Sequence, residues 1–288
     1  MPTFALYVLT VLIWGSTWLA IRFQIGEVPL AWSVSYRFIL AGLCFGLIAF
    51  MGRKSLKLPL KGHFICAGMG LFMYCANYIL VYHGSLYLVT GVVALVFSVI
   101  PLGNALWGRL VLATPISANV MGGALMGLAG ISVIFWPQLA SFDLESAALL
   151  GLGLTLMSVV LASTGNMLAA VRQREGFPLV ESNFWGMLYG GGFTAIYALL
   201  SGDMPQFDLS FPYASSLIYL SLMGSFAAFW AYITLIERIG LAQAGYALVV
   251  TPIVALGLST LFEGFLWTPL AVFGVGLCLA GNVLMVKR

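Results

Sequence analysis

Residues 63–107 read HFICAGMGLFMYCANYILVYHGSLYLVTGVVALVFSVIPLGNALW. This stretch contains no Asp, Glu, Lys or Arg, and its length suits two membrane-spanning helices of about 20 residues each. Similar apolar stretches fill the rest of the chain, which is 62% hydrophobic and only 7% charged. We therefore predict an all-α membrane protein with ten transmembrane helices. They lie near residues 3–22, 31–51, 63–83, 86–107, 116–136, 147–171, 179–200, 213–236, 243–262 and 266–286.

The few charged residues predict how these helices are oriented. With alternating topology, ten of the twelve basic residues fall on one side: Arg53, Lys54, Lys57, Lys61, Arg109, Arg172, Arg174, Arg238, Lys287 and Arg288. The other side receives Glu27, Asp143, Glu145, Asp203, Asp208 and Glu263. Because basic loops mark the cytoplasmic face, we expect both termini to be cytoplasmic, in a multi-pass protein of the bacterial inner membrane. The net charge of +3 then reflects topology, and the expected partner is the lipid bilayer and not nucleic acid.

The chain contains an internal duplication. A shift of 154 residues aligns Tyr78 with Tyr232, Gly91 with Gly245, and the pattern T-P-x6-G-x4-G at 114–127 with its copy at 268–281. We assign residues 1–138 and 145–288 to two repeats of five helices each. Because five is odd, the second repeat enters the membrane in the opposite sense. Inverted repeats of this kind are typical of secondary transporters, whose substrate site lies between the halves near the midplane.

Prolines and small residues suggest moving and packing elements. Pro101 and Pro252 lie inside predicted spans at nearly equivalent places, so we predict a hinge at each. The alternative is that proline is simply common in membrane helices. Small-residue rows occur at Gly123-x3-Gly127, Gly186-x3-Gly190 and Gly276-x3-Ala280. They allow close helix packing inside the chain or in a dimer, so a monomer and a weak homodimer both remain open.

Arg37 is the basic residue that falls inside a span. Counted from Pro29, it lies about 12 Å along its helix at ~1.5 Å per residue. An arginine at the helix centre costs ~2.5–3.5 kcal/mol, so this side chain should face the bundle interior and pair with an anionic group. Two interpretations remain open. Arg37 forms a structural tether with Glu27 or Glu263, or it docks a carboxylate of the substrate.

Aromatic and polar side chains recur at helical spacing on several spans. Such stripes suit a cavity that stacks on a solute and offers hydrogen bonds, although interhelical hydrogen bonding or an interfacial aromatic belt explains them equally simply. The predicted substrate-binding residues are Trp14, Thr17, Trp18, Arg37, Asn77, Tyr78, Tyr82, Asn166, Trp230 and Tyr246.

Several function classes are disfavoured. The sequence has no G-x4-G-K-[ST] loop, no G-x-S-x-G motif and no metal-ligand spacing, so we expect neither an enzyme nor a cofactor or metal. No carboxylate falls at the middle of a predicted span. This weakens a tight proton-antiport mechanism and leaves room for facilitated diffusion.

The stretch Ile13-Trp14-Gly15-Ser16-Thr17-Trp18 resembles the first-span signature of the drug/metabolite transporter superfamily, in its EamA-type branch. Arg37-Phe38 and the pattern Tyr246-x5-Pro252-x10-Glu263 resemble the same family. The resemblance implies a basket of ten helices around a central cavity, and export of amino acids, other metabolites or drug-like compounds. It also implies that the cavity residues include Trp14, Arg37, Tyr78, Trp230 and Tyr246. The chain departs from the pattern at Gly108-Arg109, where a glutamate is often seen.

Together these patterns predict a secondary transporter that moves a small amphipathic metabolite, with amino-acid export as the favoured case, by alternating access. One alternative is a multidrug or organic-cation efflux carrier that uses the same aromatic surface. The alternative from another class is a membrane scaffold protein that does not transport.

Overall fold

A computed structural model describes residues 1–136, 147–244 and 247–286, and within these ranges the regular elements are helices without a β-strand. This confirms the predicted all-α class. A short helical turn, Leu241–Ala244, precedes the ninth of the helices labelled here. The helices are α1 (Thr3–Arg22), α2 (Leu30–Met51), α3 (Leu60–Gly84), α4 (Thr90–Leu112), α5 (Ala118–Ile134), α6 (Ala147–Arg174), α7 (Leu179–Leu200), α8 (Phe211–Ile239), α9 (Ala247–Phe262) and α10 (Pro269–Val286).

Six helices are long and apolar enough to cross a membrane, namely α1, α2, α3, α4, α6 and α8. Shorter apolar helices occupy Ala118–Ile134, Val250–Phe262 and Pro269–Gly281. Helix α7 has 22 residues and carries Glu181 and Asn183 near its start; it is not among these six. Large apolar side chains such as Leu47 and Phe50 are exposed, as a bilayer-embedded surface requires. The number of membrane crossings and the inverted orientation of the two halves stay predictions.

Three helices are irregular in ways that hydropathy does not reveal. Helices α3 and α8 contain π-helical stretches at Gly70–Ala76 and Leu220–Ala227. Helix α4 is interrupted at Ser98–Val99, where each amide donates to the carbonyl three residues earlier, at 3.0 and 3.2 Å. Pro101, which lacks an amide hydrogen, follows this interruption directly. Irregular backbone of this kind at membrane depth is tolerated where protein or a cavity surrounds it.

Helices from the two predicted repeats pack against one another. Helix α1 lies against α8 and α9, α2 against α7, α3 against α6 and α7, α4 against α6 and α9, and α5 against α10. Glycines permit the closest of these contacts. A Cβ atom added to Gly130 of α5 would lie 2.5 Å from the carbonyl oxygen of Gly274 in α10, so only glycine fits there. The largest helix interfaces therefore join the two predicted repeats, and one buried core includes residues from both.

Candidate functional site: a central cavity around Arg37

A cavity of about 60 Å³ lies at the centre of the bundle, between helices of both predicted repeats. It is large enough to hold a few water molecules. Its wall is mostly apolar and aromatic, which is the usual character of a small-molecule site. The residues that line it are Trp14, Thr17, Trp18, Ile21, Arg37, Met73, Asn77, Tyr78, Val81, Phe97, Ile100, Ala162, Asn166, Phe229, Tyr232 and Leu248.

The structure brings seven of the ten predicted residues together in this wall. They are Trp14, Thr17, Trp18, Arg37, Asn77, Tyr78 and Asn166. They come from four different helices, α1, α2, α3 and α6, so their convergence could not follow from local sequence spacing alone.

The other three predicted residues are not among the described residues that line the cavity. Tyr82 is fully buried one turn beyond Tyr78; it does not line the cavity, but its hydroxyl interacts with Arg37. Trp230 is half-buried and absent from the wall, because Phe229 and Tyr232 of the same helix face the cavity. Tyr246 lies outside the described residues. The sequence did hold a signal for Tyr232, since the internal duplication aligns it with Tyr78.

Arg37 is 1% exposed and sits between a hydroxyl and two aromatic rings. Its Nε atom donates a hydrogen bond to Ser225 Oγ at 2.7 Å. Its guanidinium carbon lies 4.6 Å from the ring centre of Tyr78 and 5.4 Å from that of Phe38. Its Nη1 atom is buried and has no hydrogen-bond partner among the described residues. The hydroxyls of Tyr78 and Tyr82 also interact with the guanidinium group. The cation is therefore held in place, while the two N–H groups of Nη1 make no hydrogen bond of good geometry.

The structure contradicts a tether between Arg37 and either predicted glutamate. The ion pairs of the described residues are Lys61–Glu175 and Arg172–Glu237, so Arg37 takes part in none. Glu27 is exposed. The carboxylate of Glu263 instead accepts hydrogen bonds from the amide and the hydroxyl of Thr90, at 3.0 and 2.6 Å, and thereby caps the start of α4.

An uncompensated buried cation is costly, and aromatic rings offset only part of that cost. A cation over an aromatic face gains ~0.5–1 kcal/mol at exposed sites and about 2 kcal/mol when desolvated. Removing a charge from water costs more than this unless an opposite charge or several hydrogen bonds replace the water. The cavity is thus electrostatically suited to an anionic group at Arg37.

Other polar atoms of the wall fall into two groups. Trp14 Nε1 is occupied, since it donates to the carbonyl oxygen of Gly224 at 3.1 Å within the π-helical stretch of α8. By contrast, Trp18 Nε1 and Asn77 Oδ1 are buried without a partner in the described part of the chain, and Tyr232 Oη has only a poorly aligned contact with Asn104. The wall therefore offers one unused donor and one unused acceptor in addition to Arg37. Such atoms can bind the polar groups of a solute in the cavity.

The two predicted hinges lie in different surroundings. Pro101 directly follows the interruption of α4 at Ser98–Val99. Pro252 lies within α9, whose helical assignment continues across it from Ala247 to Phe262. A hinge at either proline stays a prediction.

These features define a polytopic membrane protein that encloses a small solute-sized cavity between its helices. The profile of the EamA-like transporter family matches residues 1–136 and 149–287, and the chain belongs to this family. It is therefore a transporter of the drug/metabolite type by family.

Relatives cover most of the chain. The uncharacterized transporter YoaV of Bacillus subtilis is 22% identical over 85% of this chain and 83% of its own length. An uncharacterized transporter of Archaeoglobus fulgidus is 21% identical over 97% of both chains. The uncharacterized inner membrane transporter YedA of Escherichia coli K12 is 29% identical over 89% of this chain and 80% of its own length.

A solved crystal structure of a protein also shares the fold. It matches with a TM-score of 0.73 at 17% identity, and the match covers 98% of this chain and 96% of the other. At that identity the likeness concerns the arrangement of helices alone.

Proposed function

We propose that this protein is a secondary transporter that exports a small amphipathic metabolite bearing a carboxylate, with an amino acid as the favoured case. The observation that carries the proposal is Arg37, a buried arginine in a cavity wall whose Nη1 makes no hydrogen bond of good geometry and which has no carboxylate partner in the described residues. Arginine binds carboxylates through paired, charge-assisted hydrogen bonds. A substrate carboxylate would supply the charge that the protein itself does not.

The rest of the wall fits the remainder of such a solute. Asn77 Oδ1 is an unused acceptor for an ammonium or hydroxyl group, and Trp18 Nε1 is an unused donor. Trp14 packs against Phe229 and Tyr232 with ring centres 5.2 and 4.9 Å apart, which presents an apolar surface to a side chain. The combination of one cation, a few polar atoms and aromatic faces favours a small amphipathic ligand.

Transport by alternating access would use the two repeats, 1–138 and 145–288, as bodies that rock around this site, with Pro101 and Pro252 as hinges. The central cavity, about 60 Å³ in volume, is lined by helices of both bodies, which supports a substrate site between them. In this proposal the basic loops and both termini face the cytoplasm of a bacterial cell, and the inner membrane is the site of transport. The positive-inside rule supports that orientation.

An organic-cation or multidrug efflux carrier is the second candidate, because the same aromatic wall would stack on a cation. The charge of Arg37 opposes it, since like charges in a desolvated cavity repel strongly. A non-transporting scaffold is the candidate from another class. It requires that changes in the cavity wall leave function intact.

Thermal unfolding of the purified protein tests the proposal against a panel of amino acids, nucleosides, sugars and organic cations. A ligand that binds only the folded state stabilises it by mass action. At a ligand concentration of a hundred times Kd the free energy of unfolding rises by about 2.7 kcal/mol, and the thermal midpoint rises with it. We expect a rise with carboxylate-bearing solutes that Arg37→Gln abolishes. Arg22→Gln is the matched control, because Arg22 is exposed at the end of α1.

Two outcomes would reject the proposal. A rise with organic cations alone, unaffected by Arg37→Gln, would favour the efflux carrier. A panel without any rise, together with retained cellular function in Arg37→Gln, would favour the scaffold.

A further inference from the structure

A second, larger cavity lies beside the central one and opens to the outside of the protein. We name it the vestibule; its volume is about 590 Å³. It is surrounded by the C-terminal ends of α4, α6 and α8, near the basic residues Arg109 and Arg174. The residues that line it include Asn104, Gly108, Ser117, Ala170, Arg174 and Ile236.

Only a thin layer of side chains separates the vestibule from the central cavity. On α4, Ile100 lines the central cavity and Asn104, one turn later, lines the vestibule. The same step occurs on α6 from Asn166 to Ala170, and on α8 from Tyr232 to Ile236. Residues four positions apart share a helix face, so the two cavities continue each other along three helices.

The polar side chains in this layer are incompletely bonded. Asn166 Nδ2 donates a hydrogen bond to Asn104 Oδ1 at 3.2 Å, which joins α6 to α4. Asn104 Nδ2 and Tyr232 Oη are buried and make no hydrogen bond of good geometry, although the Asn104 side chain interacts with the Tyr232 hydroxyl. Separating the layer therefore costs the hydrogen bond between Asn104 and Asn166 and the poorly aligned contact between Asn104 and Tyr232, and it allows these side chains to meet water.

The C-terminal part of α4, Ile100–Leu112, is the element that can move. The N-terminal part, Thr90–Phe97, is buried at every residue. Its first turn is fixed by Glu263 and by Ser259 Oγ, which accepts a hydrogen bond from the amide of Gly91 at 2.8 Å. Below the interruption at Ser98–Val99, several residues such as Leu106 and Leu110 are exposed. At Ser98 and Val99 the amides donate to the third residue back and Pro101 has no amide hydrogen, so the regular α-helical bonding that would make the two parts one rod is broken.

We propose that residues Ile100–Leu112 form a gate between the central cavity and the vestibule, and that the hydrogen bond between Asn104 and Asn166 is its latch. The gate swings about Ser98–Pro101 and releases or admits the solute on the side of Arg174. This inference rests on the proposed transport function, but it specifies the route and the residues that control it. In the closed arrangement the layer excludes water from Arg37.

Labelling of an introduced cysteine tests the gate without any substrate. Ala162 lines the central cavity, so Ala162→Cys reports water access to that cavity. The full chain in sealed vesicles is treated with a membrane-impermeant maleimide, and the labelling of the unsubstituted chain, which has Cys44, Cys66, Cys75 and Cys278, is subtracted. Arg174→Cys, at the rim of the vestibule, identifies the vestibule side.

Loss of the latch should speed labelling from the vestibule side alone. We expect Asn104→Ala to raise the rate about threefold, the factor that an average interhelical hydrogen bond in a membrane protein supports. Asn166→Ala should do the same from the opposite helix, and the double variant should add nothing further. Ile116→Val is the matched control, since Ile116 lines the vestibule in the connection between α4 and α5, away from the layer. Thermal midpoints of all variants show that they remain folded.

The gate is rejected if both asparagine variants fold and label at the rate of the parent, or if labelling rises equally from both sides. These results are distinguishable from failure of the proposed function. If the asparagine variants label faster from the vestibule side but no ligand of the panel raises the thermal midpoint, the gate is upheld and the substrate assignment is refuted. A carboxylate ligand with unchanged labelling would refute the gate alone.

Discussion

The guanidinium carbon of Arg37 lies 4.6 Å from the ring centre of Tyr78, and both residues line the same cavity. The ring therefore partly replaces the water that this cation lost on burial, and it fixes the position in which the cation meets a ligand. Arg37 on α2 and Tyr78 on α3 thus act as one recognition element built from two helices.

Replacing Tyr78 separates the role of the ring from that of the hydroxyl. Tyr78→Phe keeps the ring face, so ligand affinity should change less than about twofold. Tyr78→Leu removes it, and affinity should fall roughly three- to thirtyfold, which corresponds to about 0.5–2 kcal/mol of cation–π stabilisation. Titration of the thermal midpoint with the best ligand of the panel measures both. Equal losses in the two variants would contradict a role for the ring.

Ser225 is expected to position Arg37 through the hydrogen bond to Nε, which is 2.7 Å long. Ser225→Ala leaves that buried donor without a partner, and hydrogen bonds to charged groups contribute about 1.5–3 kcal/mol. We expect a lower thermal midpoint and weaker ligand binding. Ser215→Ala on the same helix is the control, because the Ser215 hydroxyl is exposed and bonds to its own helix backbone. Equal effects of the two substitutions would argue against the positioning role.

Glu263 should stabilise the start of α4 by its charge as well as by its hydrogen bonds. Its carboxylate accepts from Thr90 N and Thr90 Oγ1 at a helix N-terminus, where a negative charge is worth about 0.3–1 kcal/mol. Glu263→Gln retains an acceptor and loses the charge, so the free energy of unfolding should fall by about that amount. Glu27→Gln, at an exposed position, should leave it unchanged. A midpoint that stays constant in Glu263→Gln would show that the charge is unimportant.

The glycines of α5 and α10 should differ sharply in their tolerance of alanine. Gly274→Ala would place a Cβ atom 2.5 Å from Ile134 Cγ1 and 2.6 Å from the Gly130 carbonyl oxygen, which forces the two helices apart. Overpacking of this kind costs about 1–3 kcal/mol, to be measured by thermal unfolding.

Gly276→Ala serves as the control for that substitution, because nothing lies within 4 Å of the added atom. Gly276, the first residue of the row Gly276-x3-Ala280, therefore makes no close helix contact within the described part of the chain. If this row forms a homodimer face, Gly276→Ala should reduce the dimer fraction in cross-linking without lowering the midpoint. An unchanged oligomeric state would leave Gly276 without a role in association.

Hydropathy predicts much of this fold because membrane helices must be long and apolar. The predicted spans 3–22 and 179–200 have the same bounds as α1 and α7. The interior position of Arg37 follows for a related reason, since a charge facing lipid would be too costly. Seven cavity residues were found in this way, because polar and aromatic side chains at mid-depth avoid the lipid.

The remaining details depend on backbone irregularities that have no clear sequence signature. A π-helical stretch has more residues in each turn than an α-helix, so it rotates every later side chain around the axis. The π-helical stretch Leu220–Ala227 precedes Trp230 and Tyr232 in α8. Regular α-helical spacing therefore cannot predict which of the two side chains faces the cavity. The interruption at Ser98–Val99 likewise arises from hydrogen bonding and not from hydropathy.

The pairing of helices across the two repeats constrains the order of biogenesis. Helices α1, α2 and α5 each pack against partners that are synthesised later, in the second repeat. Ser225, the hydrogen-bond partner of Arg37 Nε, is translated 188 residues after Arg37. Until then Arg37 has the rings of Phe38 and Tyr78 from the first repeat as neighbours but lacks the hydroxyl of Ser225, and the glycines of α5 lack their partner helix. Premature termination in the second repeat would therefore leave a fragment that insertion machinery or membrane proteases must hold or remove.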